Sequence, residues 1–141
     1  MQRKGSAIWE GNLTEGKGKV STESGVLNNT QYSFSTRFEQ GKGTNPEELL
    51  AAAHASCFAM ALSNELGNFG IKPNKLEVNA TITLDKTSDG FTITKSHLEL
   101  HAFLPSDANE EKFHEAAAKA KLGCPVSKLY KAEITLNTNV N

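Results

Sequence analysis

Polar and apolar residues alternate along the N-terminal part of the chain, and glycine and asparagine interrupt the pattern. The segments SAIWEGN, GKGKVSTES and NNTQYSFSTRFEQ are rich in the threonine, valine and aromatic residues that favour extended backbone. Side chains that alternate in this way face opposite sides of a sheet. The pattern therefore predicts three antiparallel strands between residues 6 and 39.

A long helix is predicted after the segment GKGTNP, which stops the third strand. Asn45 can cap this helix, and Pro46 suits its first turn because the N–H that proline lacks would be unpaired there anyway. Two glutamates follow, where the helix dipole favours negative charge. The helix should run to about Leu66, with Gly67 available to end it.

The pattern then returns to alternation on both sides of a turn. KLEVNATITLD and GFTITKSHLELHAFL are predicted as two long strands. The Asp89-Gly90 pair between them is typical of a tight hairpin turn. The two strands should therefore pair with each other in antiparallel orientation.

A second helix is predicted over EEKFHEAAAKAK, which is acidic at its start and basic at its end, as the helix dipole prefers. Either Ser106 or Asn109 can cap it. The residues that follow, CPVSKLY, are predicted to form one short turn. KAEITLNTNV then alternates as a final strand.

The order of elements is three strands, a long helix, two strands, a helix and a strand. Strands that are joined by hairpins, and not by regular helical crossovers, indicate an α+β fold with antiparallel sheet. A chain of 141 residues is long enough for one domain and too short for two domains of ordinary size. Residues 1–141 are therefore predicted to form a single domain.

Charge and hydropathy exclude several classes of protein. The 15 basic residues nearly balance the 16 acidic ones, so nothing indicates binding to nucleic acid or to an anionic membrane surface. The basic start of the chain lacks the apolar run of a secretory signal, and no stretch of about 20 apolar residues could span a membrane. A cytoplasmic protein is predicted. In that reducing compartment, its two cysteines are either buried thiols or redox groups.

The segment LLAAAHASCFAMAL, residues 49–62, has apolar residues on every side of a helical wheel. A helix that is apolar all round must be buried all round. One chain with a few short strands has difficulty enclosing such a helix from every direction. We therefore expect a second copy of the chain to cover part of it, in a homodimer.

Cys57 lies in the middle of this apolar segment. It can be a small inert hydrophobe in a core, as most buried cysteines are. It can also be a nucleophile, with His54 three residues earlier on nearly the same face as its base. His54 can equally be a core or interface histidine whose hydrogen bonds are satisfied. The remaining histidines do not have the spacing of metal ligands, so no metal site is predicted.

Cys124 follows Gly123, which can end the second helix, and precedes Pro125 at the start of a new turn. Backbone N–H groups at the start of a turn lower the pKa of a thiol and favour its reaction. The alternative is an incidental loop residue. The two cysteines are too far apart in sequence for a CxxC pair, so only the fold could bring them together.

Several of these segments together resemble one known family. FSTRFEQGKGTNPEELLAAAHASCFAMAL, GFTITKSHLEL and AKAKLGCPVSKLYKAEITL are similar to the OsmC branch of the OsmC/Ohr thiol peroxidases, in order and over nearly the whole chain. The combination of NPEEL before the first cysteine and GCPVS around the second is specific. The resemblance implies an OsmC-like fold, in which antiparallel sheets accompany a long buried central helix and two chains intertwine as a homodimer.

The resemblance also implies an activity: the reduction of organic hydroperoxides and, less efficiently, of hydrogen peroxide, in defence against oxidative or osmotic stress. Cys57 corresponds to the peroxidatic cysteine and Cys124 to the resolving one. The active-site arginine of the family corresponds to Arg37, and its glutamate to Glu47. No cofactor beyond the two thiols is implied. The electrons are expected from a dithiol reductant, lipoyl-type or other.

The chemistry of a buried thiol calls for a cation. Burial disfavours the thiolate, and the guanidinium of Arg37 can stay charged where water is excluded and so stabilise it. Without the resemblance, Arg37 would be interpreted as a solvated strand residue facing Glu39. Glu47 points within about 80° of the direction of Cys57 but lies about 15 Å away along the helix axis. Glu47 is therefore expected to orient Arg37 beside Cys57 of the partner subunit, in active sites shared across the dimer.

The expected cycle begins with attack of the Cys57 thiolate on the distal peroxide oxygen, which releases an alcohol and leaves a sulfenic acid. Condensation with Cys124 gives a disulfide, and a dithiol reopens it by exchange. Four apolar residues can form walls that favour alkyl peroxides, or can simply be core: Phe38, Leu50, Phe58 and Met60. Two other functions stay open: a cysteine hydrolase that uses Cys57 with His54, and a redox-sensing or ligand-binding dimer.

Overall fold

The computed structural model describes residues 1–129, and within it the chain divides into two compact units. The first unit consists of Met1–Leu50 and Ile82–Lys95. The second consists of Ala51–Thr81 and the described residues from Ser96 onward. Helices and antiparallel strands are both present, so the predicted α+β class is confirmed. The assignment of the whole chain to one domain stays a prediction.

A three-stranded antiparallel sheet lies in the first unit, in the order β1-β2-β3. Its strands are β1 (Gly5–Glu10), β2 (Lys17–Thr22) and β3 (Thr30–Tyr32). Gly18 of β2 pairs with Tyr32 of β3, and the tyrosine ring lies against the glycine so closely that a Cβ atom there would collide with it. This contact explains a glycine in the middle of a strand. The prediction of three antiparallel strands is confirmed.

The third strand is shorter than the sequence pattern predicts, because a short helix, α1 (Phe34–Phe38), replaces its second half. Ser33 caps this helix in a capping box. The Ser33 hydroxyl accepts a hydrogen bond from the Thr36 N–H, and the Thr36 hydroxyl accepts one from the Ser33 N–H. Arg37 therefore lies on a helix, and its interpretation as a strand residue facing Glu39 is wrong.

Helix α2 (Pro46–Asn68) begins where it is predicted to begin. The Asn45 side chain accepts a hydrogen bond from the Glu48 N–H at 2.8 Å, as an N-cap does. The end of the helix differs from the prediction, because the helix continues through Gly67. The chain turns only at Gly70, whose φ of 71° lies in the left-handed region that glycine adopts without strain.

Strands β4 (Lys75–Thr87) and β5 (Gly90–Phe103) form a two-stranded sheet, which is the predicted hairpin. The two-residue loop Ser88-Asp89 joins them, and Gly90 enters β5 with a φ of 97°. The Thr87 hydroxyl donates to the Gly90 carbonyl at 3.0 Å and ties the two ends together. The glycine after the aspartate is thus required by the backbone of the turn.

Helix α3 (Glu110–Gly123) starts at Asn109, whose side chain accepts a backbone N–H at 2.9 Å. Of the two caps that the sequence allows, the helix uses Asn109 and not Ser106. The chain then forms a short turn from Cys124, as predicted. The final strand predicted over residues 131–140 lies outside the described residues.

In the described part of the second unit, apolar side chains form one core cluster. Helix α2 contributes Phe58 and the fully buried Leu62 and Leu66, which recur every four residues on one face, and α3 contributes two buried alanines. Apolar residues of β4 and β5 pack against this cluster. Cys124 is one of its buried members, and Cys57 packs against it. The core therefore holds both thiols in place.

The opposite face of α2 is exposed in a single chain. Met60 is 77% exposed, and Ala53, Ser56 and Ser63 on the same side of the helix are exposed as well. Within residues 1–129, one face of this helix is buried, and the burial of its other face by a second copy stays a prediction. Although α2 has 23 residues, no helix within residues 1–129 is long and apolar enough to cross a membrane.

Candidate active site

The fold of the second unit brings two thiols together. Cys57 lies near the middle of α2 and Cys124 directly after α3, and their sulfur atoms are 2.9 Å apart. Both are free cysteines, and a hydrogen bond joins their two sulfur atoms. Residues that are 67 positions apart in the sequence therefore form a pair of adjacent, reduced sulfurs.

The turn that follows α3 surrounds Cys124. Its side chain is fully buried, and the polar groups of Val126 and Ser127 in the turn act to lower the pKa of its thiol. The Val126 backbone also acts to lower the pKa of Cys57, although this effect is outweighed by burial. Cys124 is therefore a core residue with a defined polar environment at its sulfur, and not an incidental loop residue.

The two thiols influence each other's ionisation. Burial raises the pKa of Cys57, and its hydrogen bond with Cys124 raises this pKa further. Burial also acts to raise the pKa of Cys124, but hydrogen bonds with Cys57 and with Ser127 outweigh it and lower that pKa. Because the two thiols interact, they titrate as a pair in which Cys124 ionises more readily than Cys57. A nearby cation would be needed to favour the negative charge on Cys57.

His54 is buried, with 8% of its surface exposed, and both of its ring nitrogens have partners. Nδ1 lies 2.6 Å from Ser96 Oγ on β5, and Nε2 lies 3.0 Å from Ser127 Oγ. Burial lowers the pKa of His54, so the ring is neutral at neutral pH. Since both nitrogens are directed at serines, His54 does not form the dyad with Cys57 that a cysteine hydrolase would need.

A second pair of candidate residues lies in the first unit. Arg37 near the end of α1 and Glu47 in the first turn of α2 form a bidentate ion pair. Arg37 Nη2 and Nε donate to Glu47 Oε1 at 2.7 and 3.0 Å, and Nε also donates to Oε2 at 3.2 Å. The Glu47 side chain is only 14% exposed and that of Arg37 37%. The carboxylate thus fixes the plane of the guanidinium and leaves part of it open to a ligand.

A cavity of about 310 Å³ adjoins Arg37 in the first unit. Four aromatic residues line it: Trp9, Tyr32, Phe34 and Phe38. The guanidinium carbon of Arg37 lies 5.3 Å from the centre of the Phe38 ring. Of the predicted wall residues, Phe38 lines this cavity, whereas Phe58 belongs to the core of the second unit and Met60 is exposed. A largely apolar cavity beside a cation suits a ligand with an alkyl or aryl group and a polar end.

The four residues proposed from the sequence thus occur as two pairs, with Arg37 and Glu47 in the first unit and Cys57 and Cys124 in the second. Sequence reasoning missed the serines that bind His54. Ser127 could have been found, because it stands three residues after Cys124 in the GCPVS segment. Ser96 had no comparable signal, since it is one of several hydroxyl residues on an alternating strand.

The sequence is similar to those of known proteins. Residues 39–139 match the model of a family described as OsmC-like protein. The chain is 53% identical to peroxiredoxin OsmC of Escherichia coli over 97% of this chain and 95% of that one. It is 31% identical to an organic hydroperoxide resistance protein-like protein of Staphylococcus epidermidis, over 88% of this chain and 86% of that one.

The fold also matches that of a solved structure. An OsmC-like protein of Vibrio cholerae superimposes with a TM-score of 0.73 over 92% of this chain and 93% of that one, although only 16% of the residues are identical. The family expected from the sequence is confirmed, and the identity is higher to the OsmC relative than to the organic hydroperoxide resistance relative. This chain belongs to the family of OsmC-like proteins.

Proposed function

We propose that this protein is a two-cysteine thiol peroxidase that reduces organic hydroperoxides and, more weakly, hydrogen peroxide. The observation that carries the proposal is the 2.9 Å distance between the sulfurs of Cys57 and Cys124. The names of the relatives support it, because one is a peroxiredoxin and another an organic hydroperoxide resistance protein-like protein. A cytoplasmic location is part of the proposal, since the cycle needs a continuous supply of reducing thiols.

In the first step the Cys57 thiolate attacks the distal oxygen of the peroxide. The O–O bond breaks, the alkoxide takes a proton and leaves as an alcohol, and Cys57 becomes a sulfenic acid. Cys57 is assigned this role because its side chain is partly exposed, whereas Cys124 is fully buried. A peroxide from solvent therefore reaches Cys57 first.

In the second step Cys124 attacks the oxidised sulfur of Cys57, and a disulfide forms as water leaves. The short distance between the sulfurs supports this step, because a sulfenic acid beside a thiol condenses before a second peroxide can oxidise it further. A dithiol, lipoyl-type or other, then reduces the disulfide by two exchange reactions and is itself converted to a disulfide. Both protein thiols are restored.

Arg37 is proposed to supply the positive charge that the Cys57 thiolate lacks. The guanidinium is held by Glu47, partly open, and next to an aromatic cavity that could hold the organic part of the peroxide. A positively charged, planar donor can also polarise the peroxide oxygens as the O–O bond breaks. Glu47 acts as a positioning residue, because it orients Arg37 and does not touch the peroxide.

A second copy of the chain is proposed to complete the site. Helix α2 is continuous from Pro46, so Glu47 and Cys57 of one chain are separated by ten residues, or about 15 Å of helix. The pair of Arg37 and Glu47 would therefore act on Cys57 of the partner subunit. The exposed face of α2 around Met60 supports such an assembly, because small residues on both sides of Met60 allow a second chain to approach closely.

Charging this face should dissociate the dimer. Met60→Arg would place an unpaired charge at the proposed interface from both copies, and we expect dimerisation to weaken by at least about a hundredfold. Analytical ultracentrifugation across a range of protein concentrations would measure the change. Val26→Arg is the matched control, since Val26 is 85% exposed in a loop. A dimer of unchanged affinity in Met60→Arg would contradict this placement of the interface.

Removal of the resolving thiol should limit the protein to one reaction with peroxide, without turnover. Cys124→Ser should react once with an organic hydroperoxide and then accumulate sulfinic and sulfonic acid on Cys57, because no thiol at 2.9 Å remains to trap the sulfenic acid. Mass spectrometry of the intact protein after peroxide titration would show added oxygens in place of the disulfide. Continued turnover with dithiothreitol and no overoxidation would argue against Cys124 as the resolving residue.

The proposed function is tested by peroxide consumption with purified wild-type protein. Cumene hydroperoxide, tert-butyl hydroperoxide and hydrogen peroxide would each be combined with dithiothreitol, dihydrolipoamide or glutathione. We expect multiple turnovers with the dithiols and faster reduction of the organic peroxides. One oxidation without turnover would instead indicate a redox sensor. Ester hydrolysis that does not depend on peroxide would indicate a hydrolase.

A further inference from the structure

The two free thiols of the second unit form a pair of soft ligands. Cys57 Sγ and Cys124 Sγ are 2.9 Å apart, and neither is engaged in a disulfide. Sulfur is polarisable, and it binds soft, thiophilic atoms in preference to hard cations such as magnesium or calcium. A thiophilic atom that binds one sulfur of this pair is therefore within reach of the other sulfur as well.

The number of ligands limits what this pair can hold. Zinc sites in proteins use three or four protein ligands. Within residues 1–129, no group of three or more histidine, cysteine or acidic side chains could hold a metal ion. The candidates are thus atoms that need only two protein sulfurs. Univalent copper and divalent mercury accept two ligands in a line, whereas trivalent arsenic is pyramidal and carries its third substituent with it.

The distance between the sulfurs distinguishes these two kinds of atom. A linear ion lies between its two sulfurs, so bonds of about 2.3 Å, the length of a zinc–thiolate bond, would hold them about 4.6 Å apart. A pyramidal atom with bonds of that length at about 90° to each other holds them about 3.3 Å apart. From 2.9 Å, the sulfurs must separate by about 0.4 Å for the pyramidal atom and by about 1.7 Å for the linear ion. The smaller movement suits two side chains that are packed in a core.

We propose that Cys57 and Cys124 form a bidentate site for trivalent arsenic, in which one arsenic atom bridges the two sulfurs. The inference goes beyond the proposed peroxidase cycle and does not depend on it. Cys57 is partly exposed, whereas Cys124 is fully buried. An arsenical from solvent therefore binds Cys57 first, and Cys124 then closes the bridge. The third substituent of arsenic, an aryl or alkyl group or a hydroxyl, stays on the solvent side.

Atoms and electrons balance in the binding reaction. An organic arsenical with two hydroxyl groups on arsenic first exchanges one of them for Cys57. An S–H bond and an As–O bond break, an S–As bond forms, and the thiol proton leaves with the hydroxyl as water. Cys124 repeats this exchange at the second hydroxyl and releases a second water. Arsenic stays trivalent and the sulfurs are not oxidised, so neither an oxidant nor a reductant is consumed.

The bound arsenical carries no net charge, which suits a site at the edge of the core. A buried charge is costly unless it is paired, but two thiols that replace two hydroxyls leave a neutral product. Both cysteines belong to the second unit of one chain. The site therefore needs neither a cation nor a second copy of the chain, in contrast to the proposed reaction with peroxide.

Two adjacent thiols should bind arsenic far more tightly than either thiol alone. Once arsenic is bound to Cys57, its bond to Cys124 forms within the same molecule. Helix α2 and the turn after α3 already place the two sulfurs side by side, so little conformational freedom is lost on binding. Loss of either thiol should therefore weaken binding by at least about 100-fold.

Titration of the reduced, full-length protein with phenylarsine oxide, in the absence of peroxide, tests the site. We expect native mass spectrometry to show one phenylarsenic group per chain, and thiol titration to show that both thiols are lost together. Cys57→Ser and Cys124→Ser should each bind at least about 100-fold more weakly than the wild type. Ser63→Ala is the matched control and should bind as the wild type does, because Ser63 is an exposed residue of the same helix as Cys57.

Two measurements on the wild-type protein keep the proposal testable if a cysteine variant does not fold. Excess dimercaptopropanol should remove the arsenical, whereas glutathione at the same thiol concentration should not, because only a dithiol replaces both bonds of a chelate. Protein that has first been oxidised with diamide to the Cys57–Cys124 disulfide should bind no arsenical. Binding that persists after this oxidation would place the arsenical elsewhere and overturn the proposal.

The stoichiometry and the affinity decide between a bridge and two independent thiols. Two phenylarsenic groups per chain, equal release by glutathione and by dimercaptopropanol, or wild-type affinity in a single-cysteine variant would each overturn the bridge. These results are separate from the test of peroxide consumption. An absence of turnover would contradict the proposed function and leave the arsenical site intact, whereas an absence of chelation would overturn only the arsenical site.

Discussion

Replacement of Cys57 by serine should abolish dithiol-dependent peroxide consumption, with a loss of at least about a thousandfold in rate. The serine hydroxyl does not ionise near neutral pH, so it cannot attack the peroxide oxygen as a thiolate does. The fold should survive, because the substitution is nearly isosteric and the buried residues Phe58 and Leu62 on the same helix are untouched. Initial rates with cumene hydroperoxide and dithiothreitol would measure the loss.

Two controls make this result interpretable. A circular dichroism melt should show a midpoint close to that of the wild-type protein, and thiol titration should count one reactive cysteine in place of two. Turnover retained by a well-folded Cys57→Ser protein would remove this residue from the mechanism and would point to chemistry elsewhere on the chain.

Truncation of Arg37 should have the second-largest effect. We expect Arg37→Ala to lower kcat/KM for organic hydroperoxides by about 10²- to 10³-fold, since a fixed positive charge beside the nucleophile and the breaking O–O bond is lost. Burial already raises the pKa of Cys57, and without the guanidinium the thiolate has no compensating cation. The midpoint of Cys57 alkylation by iodoacetamide should move upward by about one pH unit or more.

Two other variants serve as comparisons for Arg37→Ala. Glu47→Gln keeps a hydrogen-bond acceptor for Arg37 but loses the charge, so we expect a smaller decrease than for Arg37→Ala. Arg3→Ala removes an exposed arginine near the N-terminus and should leave activity unchanged. An alkylation curve for Arg37→Ala that coincides with that of the wild type would show that this arginine does not act on Cys57.

Short sequence signals predict most of the fold, and they fail where a capping box competes with β-propensity. The cap at Asn45, the hairpin at Gly90 and the α+β class follow from short sequence signals. The sequence pattern predicts a third strand that is too long, because polar and apolar residues alternate throughout NNTQYSFSTRFEQ. In the structure, Ser33 and Thr36 instead form a capping box that starts a helix. A capping box is a local interaction that outweighs β-propensity in a segment at the edge of a sheet.

The candidate site was predictable to the extent that its residues are carried by short motifs. Cys57, Cys124, Arg37 and Glu47 stand in segments that resemble one family, and the contact between Arg37 and Glu47 follows from that resemblance. The pairing of His54 with Ser96 was not predictable, because this serine comes from a distant strand. Which hydroxyl faces a buried ring depends on tertiary packing, which periodicity does not encode.

The closeness of the two sulfurs bears on whether this protein could transmit a signal. A disulfide needs its sulfurs about 2.05 Å apart, so atoms that start at 2.9 Å have to approach by only about 0.9 Å. A side-chain rotation can absorb such a shift while α2 keeps its backbone. Oxidised and reduced forms would then present nearly the same surface to any downstream protein. A redox sensor depends on two distinguishable conformations. This geometry instead suits a protein that alternates between its oxidised and reduced forms without a large change in its surface.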